Sequence, residues 1–205
     1  MTGETIATAG ELEELYGEPT ERARRKVLAR LDPHCRRFIE ASPFLVLGTA
    51  AADGAADCSP RGDAPGFVRV LDDRTLVIPD RIGNNRVDSM RNIVENPNVG
   101  LIFFVPGVNE TLRVNGHARI VREPALLESL AVRDRAPKTA ILVVVKEAFL
   151  HCAKALMRSR LWDPETQIER SSFPSLGRML ADQIGGMDVA EAEAGIAESY
   201  RNRLY

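Results

Sequence analysis

Apolar residues in the middle of the chain come in short runs or alternate with polar ones, whereas both ends show helical spacing. Short runs bounded by turn residues are typical of strands. Asp53-Gly54 is a strong hairpin turn signal, and Gly116 indicates a bulge or a close backbone approach. The run at 99–105 is apolar almost throughout, which predicts that both of its faces are covered. The predicted strands are 44–50, 55–59, 67–71, 75–78, 99–105, 110–122 and 140–145.

The remaining apolar spacing predicts helices. Asp32-Pro33 combines an N-cap with proline at the first helical position, and so predicts a helix start at residue 33. Asn85 and Asp88 resemble a capping box, which predicts that the internal helix begins at Asn85. Gly185-Gly186 should break the C-terminal helical stretch, and Asp188 should restart it. The predicted helices are 11–16, 20–31, 33–41, 85–95, 124–132, 151–158 and 174–203.

Strands in hairpin order with helices around them predict a mainly β protein of the α+β class. We expect a six-stranded antiparallel split β-barrel with peripheral helices. The expected parts are an N-terminal helical segment at 1–42, the barrel at 43–165, and C-terminal helices packed on it at 166–205. No GxGxxG follows a strand, which disfavours a Rossmann site, and no GxxxxGK[ST] occurs, which excludes a P-loop.

Composition narrows the class of partner. The chain has 205 residues, a net charge of −2 and 44% hydrophobic residues, which is typical of a globular protein without a bias toward nucleic acid. No apolar run approaches the ~20 residues of a membrane span, and the N-terminus lacks a signal pattern. We therefore expect a cytoplasmic protein that binds neither membrane nor nucleic acid.

Basic and amide side chains collect at the predicted junctions between elements. Helix N-termini present unpaired N–H groups, and a guanidinium presents a rigid fork of donors, so both bind phosphate readily. The alternative is that these are solvated surface residues, since arginine is mostly exposed. Arg69 and Arg81 stay open between an outward position and a subunit interface. The candidate phosphate-site residues are Ser59, Arg61, Asn84, Asn85, Arg86 and Arg113.

Other chemistries have weaker signals, and no particular catalytic residue is predicted. His34-Cys35, His151-Cys152 and His117 lack a recognised zinc spacing, so no metal is expected. Cys152 as a nucleophile would need a group such as Lys154 to stabilise its thiolate. A serine hydrolase is disfavoured because no GxSxG is present.

Several segments resemble the flavin-nucleotide-binding proteins related to pyridoxamine 5′-phosphate oxidase. The resemblance spans residues 40–165, and HCAKALMRSRLWDP at 151–164 fits one branch of that group. The matching segments are FLVLGTA at 44–50, SPRGDAPGFVRV at 59–70, LVIPDRIGNNR at 76–86, NIVENPNVGLIFF at 92–104 and TLRVNGHARI at 111–120.

The resemblance implies FMN as the cofactor. Its phosphate would meet Arg86 at the helix start and Arg113 on a facing strand. The flavin would transfer two electrons to or from a small substrate. The alternatives are a deazaflavin (F420)-dependent reductase and a non-catalytic flavin carrier or sensor. The residues implied to lie beside the flavin ring are Val68, Ile78, Pro79 and Asp80.

The resemblance also implies a homodimer with the cofactor at the interface. Lys154 and Trp162 would then approach the flavin of the partner subunit, and the alternative for them is a surface helix with an anchoring aromatic residue. Pyridoxamine-phosphate oxidases proper carry a tryptophan-containing C-terminal signature. This chain has Arg203-Leu204 without a nearby tryptophan, so oxidation of vitamin B6 is not expected.

Overall fold

A computed structural model describes residues 5–205. Residues 1–4, which begin the predicted N-terminal segment, lie outside the described residues. The strands are β1 Phe44–Ala50, β2 Ala56–Gly62, β3 Arg69–Val70, β4 Thr75–Pro79, β5 Asn98–Phe104, β6 Thr111–Val121 and β7 Ala140–His151. The α-helices are α1 Ala9–Tyr16, α2 Glu21–Arg25, α3 Pro33–Ala41, α4 Asp88–Glu95, α5 Pro124–Ser129, α6 Lys154–Ser159, α7 Leu176–Ile184 and α8 Val189–Asn202. Two short 3₁₀ helices lie at Pro164–Thr166 and Arg170–Ser172.

The strands form one antiparallel sheet in the order β2-β1-β5-β6-β7-β4-β3. A mainly antiparallel sheet with helices confirms the α+β class. The six-stranded barrel is not confirmed, because β3 adds a seventh strand. The described residues also show no ladder between the end strands β2 and β3, so the sheet is not closed.

The β6–β7 pair contains the irregularity that Gly116 predicts. The register of the two strands shifts between Asn115 and Gly116. A Cβ atom on Gly116 would lie 2.3 Å from the carbonyl oxygen of Val144, far inside contact distance. Both the predicted bulge and the predicted close backbone approach are therefore confirmed.

Helix α3 closes one end of the core. Asp32 Oδ1 accepts a hydrogen bond of 2.8 Å from the Cys35 N–H, and Pro33 occupies the first turn, as predicted. The helix buries Cys35 and Ile39 against the sheet interior. Burial raises the pKa of the Cys35 thiol to about 12. This thiol is therefore a neutral core group.

Only one face of β1 and β5 is fully covered. Leu45, Leu47 and Phe103 point into the core and are completely buried. Ile102 and Phe104 point the other way and are half-buried, and Phe44 beside them is 39% exposed. The prediction that both faces of 99–105 are covered is therefore wrong for a single chain, because consecutive side chains of a strand point to opposite faces.

Several predicted helix bounds differ from the structure: α5 ends at Ser129 rather than at 132, and α6 begins at Lys154 rather than at 151. The predicted helix over 20–31 ends at Arg25, because Leu28 pairs with Ala148 in β7 instead. The break at Gly185-Gly186 and the restart at Asp188, which caps α8, are confirmed. Within residues 5–205, no helix has the length and apolar character needed to cross a bilayer.

Candidate functional site

A cavity of about 690 Å³ opens between β2, the end of β4 and the loop that leads into α4. Its size falls in the range of small-molecule sites, which are roughly 300–1,000 Å³. It is lined by Asp57, Cys58, Ser59, Pro60, Arg61, Gly62, Phe67, Pro79, Asp80, Arg81, Ile82, Gly83, Asn84, Asn85, Arg86, Val87, Asp88, Ser89 and Met90.

The loop before α4 has an unusual backbone. Asn85 and Val87 have φ values of 60° and 54°, in the left-handed region that a β-branched residue such as Val87 rarely adopts. The Asn84 side chain accepts a hydrogen bond of 3.1 Å from the Arg86 N–H. This local turn competes with helix formation, so α4 begins only at Asp88. The predicted start at Asn85 and its capping box are wrong.

Arg61 is the most enclosed cation of the cavity. Its NH1 donates to Asp80 Oδ1 at 3.1 Å, and its side chain is 17% exposed. Among the described residues, its Nε is the only buried side-chain nitrogen or oxygen without a hydrogen-bond partner. Buried donors normally have partners, so one hydrogen bond of this guanidinium is left unmade beside the cavity.

Arg86 lies at the open side of the cavity. Its Nε donates to Asp88 Oδ2 at 2.7 Å, and its side chain is 73% exposed. The hydrogen bond to Asp88 raises the pKa of the guanidinium, which stays charged. Exposed ion pairs are weak, so an anionic ligand can displace Asp88 from Arg86.

Arg81 forms part of the wall and is held by two contacts. Its Nε donates to Asp63 Oδ2 at 2.6 Å, and its NH1 donates to the Leu130 carbonyl oxygen at 2.9 Å. Burial raises the pKa of Asp63, but hydrogen bonds from the Ala64 N–H and the Tyr205 hydroxyl, with the Arg81 charge, lower it overall. Arg81 is therefore tied to its own chain, and Arg69 donates likewise to the Ser129 carbonyl oxygen.

Most of the predicted site residues meet at this cavity. Val68 and Ile78 are instead buried in the core and do not line the cavity. The predicted residues that line the cavity are Ser59, Arg61, Pro79, Asp80, Asn84, Asn85 and Arg86.

Three predicted residues lie away from the cavity of their own chain. Arg113 in β6 lies over the Phe149 ring, with its guanidinium carbon 5.0 Å from the ring centre. Trp162 Nε1 donates to the Val108 carbonyl oxygen at 2.8 Å. Lys154 is exposed at the first position of α6. The structure of one chain thus does not bring Arg113 and Arg86 to a common phosphate.

Sequence reasoning missed a polar pair beneath the loop. Ser89 Oγ donates to Asp57 Oδ2 at 2.8 Å, and both residues line the cavity next to Cys58. Asp57 is in β2 and Ser89 is in α4, so no local sequence pattern joins them. The pair ties the start of α4 to the edge of the sheet.

The donor set suits an anionic, partly flat ligand. Arg61 Nε and Arg86 offer charge-assisted contacts to phosphate oxygens, which are among the stronger hydrogen bonds in proteins. Phe67 and Pro79 supply apolar surface on the sheet side. The residues present therefore fit a flavin nucleotide.

Comparison with known proteins places the chain in a family. Residues 31–152, more than half of the chain, match the family model for pyridoxamine 5′-phosphate oxidase. No curated protein matches the chain.

Three solved structures are similar to this chain. HupZ from Group A Streptococcus has 20% identity and a TM-score of 0.48, over 58% of this chain and 92% of that one. A Lactobacillus delbrueckii protein named after pyridoxamine 5′-phosphate oxidase has 19% identity and a TM-score of 0.47, over 60% and 95%. An F420 reductase has 22% identity and a TM-score of 0.41, over 57% and 94%. On the match to the family model, the chain belongs to the pyridoxamine 5′-phosphate oxidase family.

Proposed function

We propose that the protein binds FMN in the 690 Å³ cavity and uses it as an oxidoreductase acting on a small substrate. The observation that carries the proposal is a cavity of nucleotide size lined by Arg61, whose buried Nε has no partner in the chain. Membership of the family supports a flavin-type ligand. The two-electron chemistry would come from the flavin, while the chain binds, orients and shields it.

Arg61 and Arg86 would make different contacts to the bound ligand. Arg61 is enclosed and already paired with Asp80, and its Nε still lacks an acceptor that a bound ligand would supply. Arg86 is exposed, so it could exchange its weak ion pair with Asp88 for a phosphate. Pro79, which lines the cavity, would face the flavin ring, whereas Ile78 is buried in the core.

The same proposal includes a homodimer. Phe44, Ile102 and Phe104 leave an apolar, half-covered sheet face, and the Phe44 and Phe104 rings contact each other with centres 6.1 Å apart. A second copy would cover this face, as an apolar core typical of homodimer interfaces. Arg113, Lys154 and Trp162 would then be supplied to the flavin site by the other subunit.

Titration of the purified protein tests the ligand. We expect FMN to bind tightly and riboflavin at least about tenfold more weakly, because riboflavin lacks the phosphate and its charge-assisted contacts. Equal affinities for the two would refute the phosphate site. Tighter binding of a deazaflavin than of FMN would favour the F420-dependent alternative. Bleaching of bound FMN by NADH or NADPH without air would separate an enzyme from a carrier or sensor.

Two arginine variants test the division between subunits. We expect Arg86→Ala to weaken FMN binding about tenfold or more, because a charged phosphate contact is lost. Arg113→Ala should do the same only when a second subunit supplies Arg113. Arg178→Ala, on the surface of α7 and paired with Asp182, is the matched control and should bind like the wild type. An unchanged Arg86→Ala would assign Arg86 to the solvated surface.

Light scattering tests the dimer. We expect a species of twice the 22.6 kDa chain mass. Ile102→Asp should convert it to a folded monomer, whereas Leu15→Asp on the exposed surface of α1 should leave it a dimer. A wild-type monomer that binds FMN stoichiometrically would refute the interface.

A further inference from the structure

We infer that Tyr205 is a positioning residue for the cavity, acting on Arg81 in the cavity wall through Asp63. The inference deepens the proposed function and rests on it where FMN is the ligand. Tyr205 and Asp63 are 142 residues apart, so their contact fastens the C-terminal end of the described chain to the loop after β2. Nothing in the local sequence of either segment indicates this contact.

Asp63 contacts both Tyr205 and Arg81. Its side chain is 3% exposed, and a buried carboxylate needs several donors. Oδ1 accepts 2.8 Å from the Tyr205 hydroxyl and 2.7 Å from the Ala64 N–H, and Oδ2 accepts 2.6 Å from Arg81 Nε. Removing the Tyr205 hydroxyl would leave this carboxylate one donor short and loosen its hold on Arg81.

Tyr205 also contacts the tight turn at residues 132–135. The Arg133 guanidinium carbon lies 4.8 Å from the centre of the Tyr205 ring, and Arg135 NH1 donates 2.5 Å to its main-chain oxygen. Arg133 and Asp134 are consecutive residues in the left-handed region, with φ of 50° and 60°. Two such residues in a row are uncommon outside glycine-rich turns. Here they allow two arginines of one turn to reach the same tyrosine.

Arg81 links the Tyr205–Asp63 contact to the cavity. It lines the 690 Å³ cavity and also a second cavity of about 180 Å³, which Asp63 and residues 129–132 border. Phe67 is the other residue common to both. Arg81 and Phe67 therefore form the partition between the two spaces. A ligand site binds best when its walls are already in place, so a loose partition weakens binding.

Positioning of this kind makes Tyr205 docking and ligand binding mutually stabilising. If Tyr205 orders the wall that the ligand contacts, the ligand must in turn favour the docked Tyr205. FMN would therefore slow amide hydrogen exchange in α8 and at residues 200–205, although these residues do not line the cavity. A purely structural contact would change protein stability without this coupling.

The test compares Tyr205→Phe with Tyr200→Phe. Tyr205→Phe removes only the hydroxyl and keeps the ring against Arg133, while Tyr200 is a tyrosine of α8 that is 62% exposed. We expect Tyr205→Phe to bind FMN about three- to tenfold more weakly, the size of one lost hydrogen bond. Amide exchange at residues 62–67 should be faster in cofactor-free Tyr205→Phe than in cofactor-free Tyr200→Phe.

The outcomes separate this inference from the proposed function. FMN affinity and loop exchange that match Tyr200→Phe would overturn the role of Tyr205. Faster loop exchange with unchanged FMN affinity would also overturn it, because Tyr205 would then be structural only. Failure of the wild type to bind FMN would refute the proposed function. Exchange at residues 80–83 in the cofactor-free protein would then decide the positioning role, faster exchange supporting it and unchanged exchange overturning it.

Discussion

Gly116→Ala adds only one methyl group, yet it should destabilise the protein strongly. The new Cβ atom would lie 2.3 Å from the Val144 carbonyl oxygen and 3.2 Å from Val143 Cγ1. Restoring an ordinary contact requires β6 and β7 to separate by about 1 Å, given carbon contacts of roughly 3.5 Å. Overpacking of that kind costs about 1–3 kcal/mol, and one or two weakened ladder hydrogen bonds add about 1 kcal/mol each. The lower backbone entropy of alanine in the unfolded chain returns about 0.5–1 kcal/mol.

The free energy of unfolding should therefore fall by about 3 kcal/mol, which lowers Tm by roughly 6–12 °C in a chain of this length. Urea titration and a thermal scan at one fixed protein concentration would measure both. Gly195→Ala in α8 is the matched control, since no atom lies within 4 Å of its added Cβ. It should stabilise the helix slightly, by about 0.5–1 kcal/mol. Equal stability of Gly116→Ala and the wild type would refute the close approach of the two strands.

Two further predictions concern single side chains. Cys58 lines the cavity, so FMN should slow its alkylation, whereas buried Cys35 should not react in the folded protein with or without FMN; mass spectrometry would measure both. Asp32→Ala should cost about 1 kcal/mol at neutral pH through loss of the α3 N-cap. The hydrogen bond from the Cys35 N–H lowers the pKa of Asp32, so this difference is present above the unfolded pKa near 3.9 and disappears as pH falls through the lower folded pKa.

The elements that could be predicted from the sequence are those determined by residues close together in the chain. The Asp32 cap and Pro33 act within one helical turn, and α3 begins and ends where they predict. The predicted helix over 20–31 fails because Leu28 bonds to the backbone of Ala148, a contact that no local pattern encodes. The start of α4 fails for a related reason. The left-handed backbone at Val87 opposes its intrinsic preference and must be maintained by the surrounding fold.

The candidate site likewise contains some residues that are close together in sequence and others that only the fold brings together. Pro79 to Arg86 are contiguous in sequence, so a single loop brings them together, and their place at one cavity could be predicted. The contacts that hold Arg81 in place could not be predicted from sequence, because Asp63 and Tyr205 are joined only in the folded chain. Arg113 was placed by resemblance, and within one chain it contacts Phe149 instead.

The open edges of the sheet bear on how copies of the chain can assemble. An unpaired edge strand invites a strand of another molecule, and repeated addition of that kind has no natural end. Here one edge, β2, contains Pro60, which lacks an N–H, and the charged Asp57 and Arg61, while the other, β3, has two residues. Growth through strand pairing is therefore discouraged at both ends of the sheet. The proposed association through the half-covered face around Ile102 would differ, because a twofold pairing uses the same patch on both copies and is complete at two.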